Sequence, residues 1–436
     1  MIPIAVAEIA ALAPGRLTVA GGAEQVGGVT VDSRRTRAGD LFVAVGRGAE
    51  FVDEALAAGA AAALVPDDAF TALAAVGAAV RERSSARVVA VTGSTAKTST
   101  KDILGALCSP QAATVVAEGS QNNEVGLPLT LCRIEPETEV AIVEMGMRGL
   151  GQIAELCRAA RPDVGVITSV GPVHLELLGT VERVAQAKAE LVESLPPGGT
   201  AVVPAGEAAL APHLTRSDID VVRFGEGGDV RLLSFAPRGD ASLLEVDVAG
   251  ERLELEFSFA GRHNGTNALA ALAAYRALGL PLAGAQVGAR QVKLSRWRGE
   301  ESPLPGEGLL INDAYNANPL SMAAALEHLR ERAGARRRVA VLGDMAELGP
   351  DAPRYHAEIG AAAARAGVEV LVAVGELARG YLEGARGVPV TRWAATADEG
   401  LAALREELRP GDAVLVKGSR AVGLEAVGQA VGVVPA

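Results

Sequence analysis

The sequence predicts an α/β protein of several domains, and three features point that way. Short continuous apolar runs such as Val88-Val89-Ala90-Val91 recur along the chain. Each is followed by glycine or polar residues and then a helical pattern, as in a parallel sheet covered on both faces. At 436 residues the chain is too long for one ordinary core, so two to four domains are expected. Between residues 224 and 259 the apolar period drops to two, which marks a small antiparallel sheet beside the mostly parallel one.

Composition narrows the function classes. Hydrophobic residues make up 49% and charged residues 22%, which is globular rather than disordered. Aromatics are only 3%, so the cores must be built from Ala, Val and Leu. A net charge of −12 speaks against nucleic acid and anionic membranes as partners, but not against nucleotides held by local groups. Cys108, Cys132 and Cys157 are scattered and lack metal-ligand spacing, so each is expected to be a small buried hydrophobe in a reducing cytoplasm. The N-terminus lacks a basic leader region, Glu8 interrupts its apolar stretch, and no run reaches 18 apolar residues. Neither a signal peptide nor membrane insertion is expected.

Taken in order, the first 84 residues read as a small α/β unit. Asp32-Ser33-Arg34 and a turn at Gly39-Asp40 precede a strand at 41–45, a helix at 54–59 and a strand at 61–65. The stretch Val88-Val89-Ala90-Val91-Thr92-Gly93-Ser94-Thr95-Ala96-Lys97-Thr98-Ser99 organises the middle of the chain. A strand ends in glycine, and a lysine and two hydroxyls open a helix at 98–107. That is a phosphate cradle: backbone N–H groups face the anion, Lys97 reaches its outer phosphates and Thr98 can hold Mg²⁺. Ala96 stands where the usual pattern has glycine.

Beyond the helix, Asn122-Asn123 lies in a loop. A strand at 140–143 ends in Glu144, and one at 163–170 leads to His174. A lysine, a threonine, a glutamate and a histidine thus converge at C-terminal strand edges, where α/β sheets bind ligands. Oxygen ligands with one imidazole suit Mg²⁺ on nucleotide phosphates. The runs at 244–248 and 253–259 alternate about Ala249-Gly250 as a hairpin, and His263-Asn264 with Asn267 opens an Ala-rich helix. In the last third, strands at 309–313, 338–342, 369–374 and 413–416 alternate with helices, as in a doubly wound fold.

These motifs resemble one family along nearly the whole chain, the ATP-dependent Mur ligases of peptidoglycan precursor synthesis. The matching residues are Asp32-Ser33-Arg34 with Gly39-Asp40-Leu41-Phe42, the cradle at 93–98, Asn122-Asn123, Glu144, His174, Lys188, His263-Asn264 with Asn267, and Arg298. They continue with Asp313-Ala314-Tyr315-Asn316-Ala317-Asn318-Pro319, Gly343-Asp344-Met345 with Glu347-Leu348-Gly349, and Lys417-Gly418-Ser419. The Asp-Ala-Tyr-Asn-Ala-Asn-Pro and Gly-Asp-Met…Glu-Leu-Gly runs look like the branch that adds D-alanyl-D-alanine to UDP-N-acetylmuramoyl-tripeptide. The segment after Gly39-Asp40-Leu41-Phe42, Gly46-Arg47-Gly48-Ala49-Glu50-Phe51, departs from the family's Asp-Gly-His pattern. A homologue that binds nucleotide without ligating, suggested by Ala96, and another ligase of the superfamily, folylpolyglutamate-synthase-like or another Mur enzyme, are the competing readings.

The resemblance implies three domains: a UDP-binding domain at 1–84, a P-loop ATPase domain at 85–296 and a Rossmann-like ligase domain at 297–436. It implies a monomeric carbon–nitrogen ligase that forms ADP and phosphate through an acyl phosphate. Lys97, His174 and Lys188 are then catalytic. ATP is held by Gly93, Ser94, Thr95, Ala96, Lys97, Thr98, Ser99, Asn267, Arg298 and Asp313. Mg²⁺ falls to Thr98, Glu144, His174 and Lys188, the last as a CO₂-derived carbamate. Ser33, Arg34, Asn122, Asn123, Asn316, Asn318 and Ser419 are implied to face the UDP and peptide substrates.

Overall fold

The computed structural model describes residues 1–432. Near the N-terminus, strands Gly28–Thr30, Asp40–Val43 and Ala62–Pro66 run parallel, and Gly15–Val19 pairs antiparallel with the last of them. Helix α1 (Ala69–Glu82) follows, started by Asp68, whose carboxylate accepts from the Thr71 amide at 2.6 Å. Its buried face, Leu73, Val76 and Val80, shares one core with Leu127, Leu131 and Ile153 of the next unit. A Cβ on Gly77 would stand 3.0 Å from the Pro128 backbone, so a small residue sets how closely the two units approach.

The middle of the chain forms one nine-stranded sheet. Its centre is β1 (Arg87–Thr92), flanked by β2 (Val140–Glu144) and β3 (Val164–Ile167), all parallel. β2 and β3 are buried at every position, so they read as continuous apolar runs without alternation. Helix α2 (Lys97–Cys108) leaves β1, α3 (Val181–Glu193) follows β3, and α4 (Arg262–Ala277) crosses the sheet against α2. The antiparallel strands Val230–Arg238, Ala241–Val248 and Glu251–Phe257 extend this sheet edgewise, joined through the single pair Phe224 and Val230.

The C-terminal sheet has six strands in the order Glu300–Leu304, β4 (Gly308–Asn312), Ala413–Lys417, Arg338–Gly343, Val370–Val374 and Val390–Ala394. All pairs but the first are parallel. Helix α5 (Pro319–Ala333) follows β4. The two edge strands carry no continuous apolar run, since most of their residues remain partly exposed, and sequence patterning did not mark them. The three cysteines are buried and burial pushes each thiol up to about 12, in keeping with inert packing residues.

Candidate active site

The loop between β1 and α2 is shaped by contacts from the end of β3. A Cβ on Gly93 would lie 1.8 Å from Thr168 Oγ1, so only glycine fits there. The Ser94 amide donates to the Ser169 carbonyl at 2.9 Å, the Thr95 amide to Ser169 Oγ at 3.0 Å, and Thr168 Oγ1 to the Thr95 carbonyl at 2.6 Å. Ala96 then takes a left-handed conformation, φ 65°, as the residue capping α2. The first turn of α2 is thereby aimed at the open side of the loop. Lys97 Nζ donates to the Gly93 carbonyl at 2.9 Å. Burial lowers the Lys97 pKa; Glu144 partly offsets this and Arg298 adds to it.

Glu144, at the C-terminal end of β2, is 1% exposed. Its Oε1 accepts from Asn122 Nδ2 at 2.8 Å, while its Oε2 is buried without a partner. A buried carboxylate oxygen left bare in this way is suited to a cation. Among the described residues no group of three or more His, Cys, Asp or Glu side chains comes together to hold a metal ion. One carboxylate and the nearby Thr98 hydroxyl are hard oxygen donors that fit Mg²⁺ with its other ligands drawn from phosphate.

His174 sits beside this cluster in a left-handed conformation, φ 53°. Its Nδ1 is hydrogen-bonded to Glu347 of the C-terminal unit, which leaves Nε2 free to act as a ligand. Glu347 also accepts from Arg148 Nη2 at 2.5 Å. Lys188, on α3, is 2% exposed and has no carboxylate within ion-pair distance among the described residues. Burial, reinforced by the charge of Lys97, holds its amine well below the ordinary lysine range.

The second wall comes from the C-terminal third. Asp102 of α2 accepts from both the amide and Oγ of Ser295, each at 2.8 Å, and so fixes the linker three residues before Arg298. Arg298 donates to Thr98 Oγ1 at 2.9 Å and stacks 3.9 Å above the Tyr315 ring. At the end of β4, Asp313 pairs with Lys417 at 2.6 Å, and Lys417 also donates to the Asn316 carbonyl. Asn318 caps α5 through a capping box with Ser321, and its Nδ2 reaches the Ser94 carbonyl at 3.1 Å.

Between the two walls lies a cleft of about 190 Å³. Of the residues expected from sequence, those at 94–99, Asn122, Glu144, Asn267, Arg298, Asp313, Asn316 and Asn318 line it. Gly93, His174 and Lys188 stand outside the lining. Ser33 and Arg34 are in the N-terminal unit, where Ser33 donates to Glu54 and Arg34 forks onto Asp32. Asn123 spends its side-chain oxygen on the Val125 and Gly126 amides, and Ser419 Oγ accepts from the Ala346 amide.

Residues 91–275 match the Mur ligase middle domain and residues 299–420 the glutamate ligase domain of the same enzymes. The chain belongs to the Mur ligase family. Among its Mur ligase relatives, a UDP-N-acetylmuramoyl-tripeptide–D-alanyl-D-alanine ligase of Synechocystis is 34% identical, covering 92% of this chain and 91% of that one. The enzyme of the same name from Escherichia coli K12 is also 34% identical, over 80% of this chain and 81% of that one. A crystal structure of MurF from Acinetobacter baumannii superposes with a TM-score of 0.87 at 28% identity, covering 99% of both chains. The MurF ligase of Thermotoga maritima in complex with ADP gives 0.79 at 27% identity, over 93% of this chain and 97% of that one. No helix among the described residues is long and apolar enough to cross a membrane.

Sequence reasoning left His263, Tyr315, His328 and Lys417 out of this Mur ligase site, yet all four line the cleft. It also left out Glu347, the partner of His174. His263, Tyr315, Glu347 and Lys417 lie within motifs that were in view, so adjacency to a motif was the available signal. His328 lies inside an ordinary amphipathic helix and carried none.

Proposed function

We propose that this Mur ligase joins D-alanyl-D-alanine to UDP-N-acetylmuramoyl-tripeptide at the expense of ATP, in the cytoplasm, as a monomer of three domains at 1–84, 85–296 and 297–436. The observation that carries this reading is the cleft itself: a phosphate-binding loop faces Arg298, Asp313 and Asn318 of a second unit. Its likeness over nearly the full chain to enzymes of that name supplies the substrates.

In the reaction, a terminal carboxylate oxygen of the tripeptide attacks the γ-phosphorus of ATP, and the bond to the bridging oxygen breaks to release ADP. The amine of D-alanyl-D-alanine then attacks the carbonyl carbon of the acyl phosphate. Phosphate leaves from the tetrahedral intermediate and the amine loses its proton. The obstacle in the first step is repulsion between a carboxylate and a triphosphate, so fixed cations and positioning supply most of the rate. Lys97 leaves the Gly93 carbonyl to hold the transferring phosphoryl group, and Arg298 faces it from the other wall. The amides of 94–99 cradle the phosphates, Asp313 completes the nucleotide site and Asn267 meets adenine.

Thr98 and Glu144 would hold one Mg²⁺, and His174 with a carbamylated Lys188 a second; such an ion would supply positive charge against the phosphates. The carbamate forms when the Lys188 nitrogen adds to CO₂ and loses a proton, which needs the neutral amine that its burial favours. Asn122 holds Glu144 in place from the loop that would meet the peptide. Asn123, Asn316 and Ser419 border the path of the peptide and dipeptide, and Ser33 and Arg34 serve the uridine end.

The test is phosphate release with UDP-N-acetylmuramoyl-tripeptide, with and without D-alanyl-D-alanine. Sustained release only in the complete mixture is expected. ATP binding with no substrate-dependent release would overturn ligation and favour a nucleotide-binding homologue.

A further inference from the structure

We propose that Tyr315 is a positioning residue for Arg298: its backbone and its ring face together hold the guanidinium against the phosphate loop with the charge left free for a phosphoryl group. The inference rests on the ligase reading above, in which Arg298 faces that group, and names what keeps it there.

Tyr315 holds the Arg298 turn in two ways. Its amide donates to the carbonyl of Trp297, the residue just before Arg298, at 3.3 Å. Trp297 and Gly299 both take left-handed backbones, φ 59° and 74°, so Arg298 sits in a tight turn that this bond fastens. The guanidinium carbon of Arg298 then lies 3.9 Å from the centroid of the Tyr315 ring. Its Nη2 donates to Thr98 Oγ1 at 2.9 Å, while its Nε is buried without a hydrogen-bond partner. The cation is thus held by one edge and by its face. The ring is held in turn, since the Tyr315 hydroxyl is hydrogen-bonded to Ser120 Oγ. Ser120 belongs to the loop that carries Asn122, so both walls of the cleft fix the ring.

A ring does here what a carboxylate would not. A carboxylate would hold Arg298 as firmly but would take up its charge and its in-plane N–H donors. An aromatic face attracts the cation from above and leaves those donors for the oxygens of a ligand. Arg420 gives the contrast: it lies 5.9 Å from the centroid of the same ring, yet it pairs with Glu425 at 3.1 Å. Thr98, Arg298 and Tyr315 all line the cleft, so the held cation is presented to the space that the phosphate loop faces. A guanidinium free to swing would have to give up its rotamer freedom in the transition state, so loss of the ring should appear in kcat.

The experiment is a double-mutant cycle of Arg298→Ala and Tyr315→Leu, with Tyr315→Phe beside it, reading kcat and the KM for ATP from phosphate release. Tyr315→Leu should lower kcat about tenfold with a smaller change in KM. Tyr315→Phe, which keeps the face and loses the tie to Ser120, should stay within about threefold of wild type. In the Arg298→Ala background Tyr315→Leu should cost nothing further, because no guanidinium is left to hold. A further loss in that background would mean that the ring acts on the nucleotide itself and would overturn the proposal. So would a wild-type kcat in Tyr315→Leu, or a Phe variant as damaged as the Leu one. Should Tyr315→Leu not fold, Tyr315→Met, which fills the space without a ring face, takes its place in the cycle. The same cycle is read on the affinity for a non-hydrolysable ATP analogue by calorimetry. A wild type that binds the analogue but releases no phosphate would refute the ligase reading alone, and the coupling in that affinity would still decide Tyr315.

Discussion

Ala96 holds a left-handed backbone in the turn that aims the phosphate loop. For an alanine this costs about 1 kcal/mol, which glycine would avoid at the expense of a more flexible unfolded chain. Ala96→Gly is expected to leave kcat/KM equal or higher with no fall in thermal midpoint; a large loss of activity would mean the loop does not work through this turn. Lys188 gives a second test. Lys188→Ala should abolish phosphate release, and added acetate should restore part of it by supplying a carboxylate in the space left. Full activity in the alanine variant would remove the carbamate from the mechanism. At this scale the cradle was legible because its chemistry is local: a glycine, a lysine and a threonine within six positions. Glu347 was not, since it meets His174 from 173 residues away and only the fold brings them together.

Helix α5 does two jobs with one residue. Asn318 closes the capping box and also bonds the Ser94 carbonyl, so helix start and phosphate loop share a contact. Asn318→Ala should lower stability by about 1 kcal/mol, the usual scale for a lost N-cap, and raise the KM for ATP as well. A melt shifted without a change in KM would show that the bond to Ser94 has no functional part. Elements buried on both faces, such as β2 and β3, were readable as apolar runs. The edge strands Glu300–Leu304 and Val390–Ala394 were not, because half-wet positions relax the pattern that burial imposes. The hairpin Ala241–Val248 with Glu251–Phe257 was readable from its alternation, but its edgewise continuity with the parallel sheet depends on one residue pair that no periodicity encodes.

For the whole molecule, acid sensitivity follows from two imidazoles, His263 half-buried at the cleft and His356 buried. Burial lowers both His263 and His356, and His356 accepts from the Met345 amide at Nε2, a bond that protonation would break. Their folded pKa values lie below the unfolded value of about 6.5, so the unfolded chain binds more protons on acidification. The stability they contribute is intact above that pH and is lost as pH falls toward about 4 for His263, roughly 3 kcal/mol from that residue alone. Urea midpoints that stay level between pH 7 and 4.5 would contradict this. The groups proposed to hold the nucleotide come from two units, so ATP analogue with tripeptide substrate should compact the molecule; an unchanged scattering profile would count against closure.

The clamp of Asp102 on Ser295 bears on how such a closure would travel. The linker is pinned to α2, the helix that also carries Lys97, so the fulcrum of any rotation lies beside the load. Arg298, three residues from that pivot, sweeps a short arc. Opening and shutting would therefore leave the proposed grip on the phosphates with nearly its full purchase through the stroke.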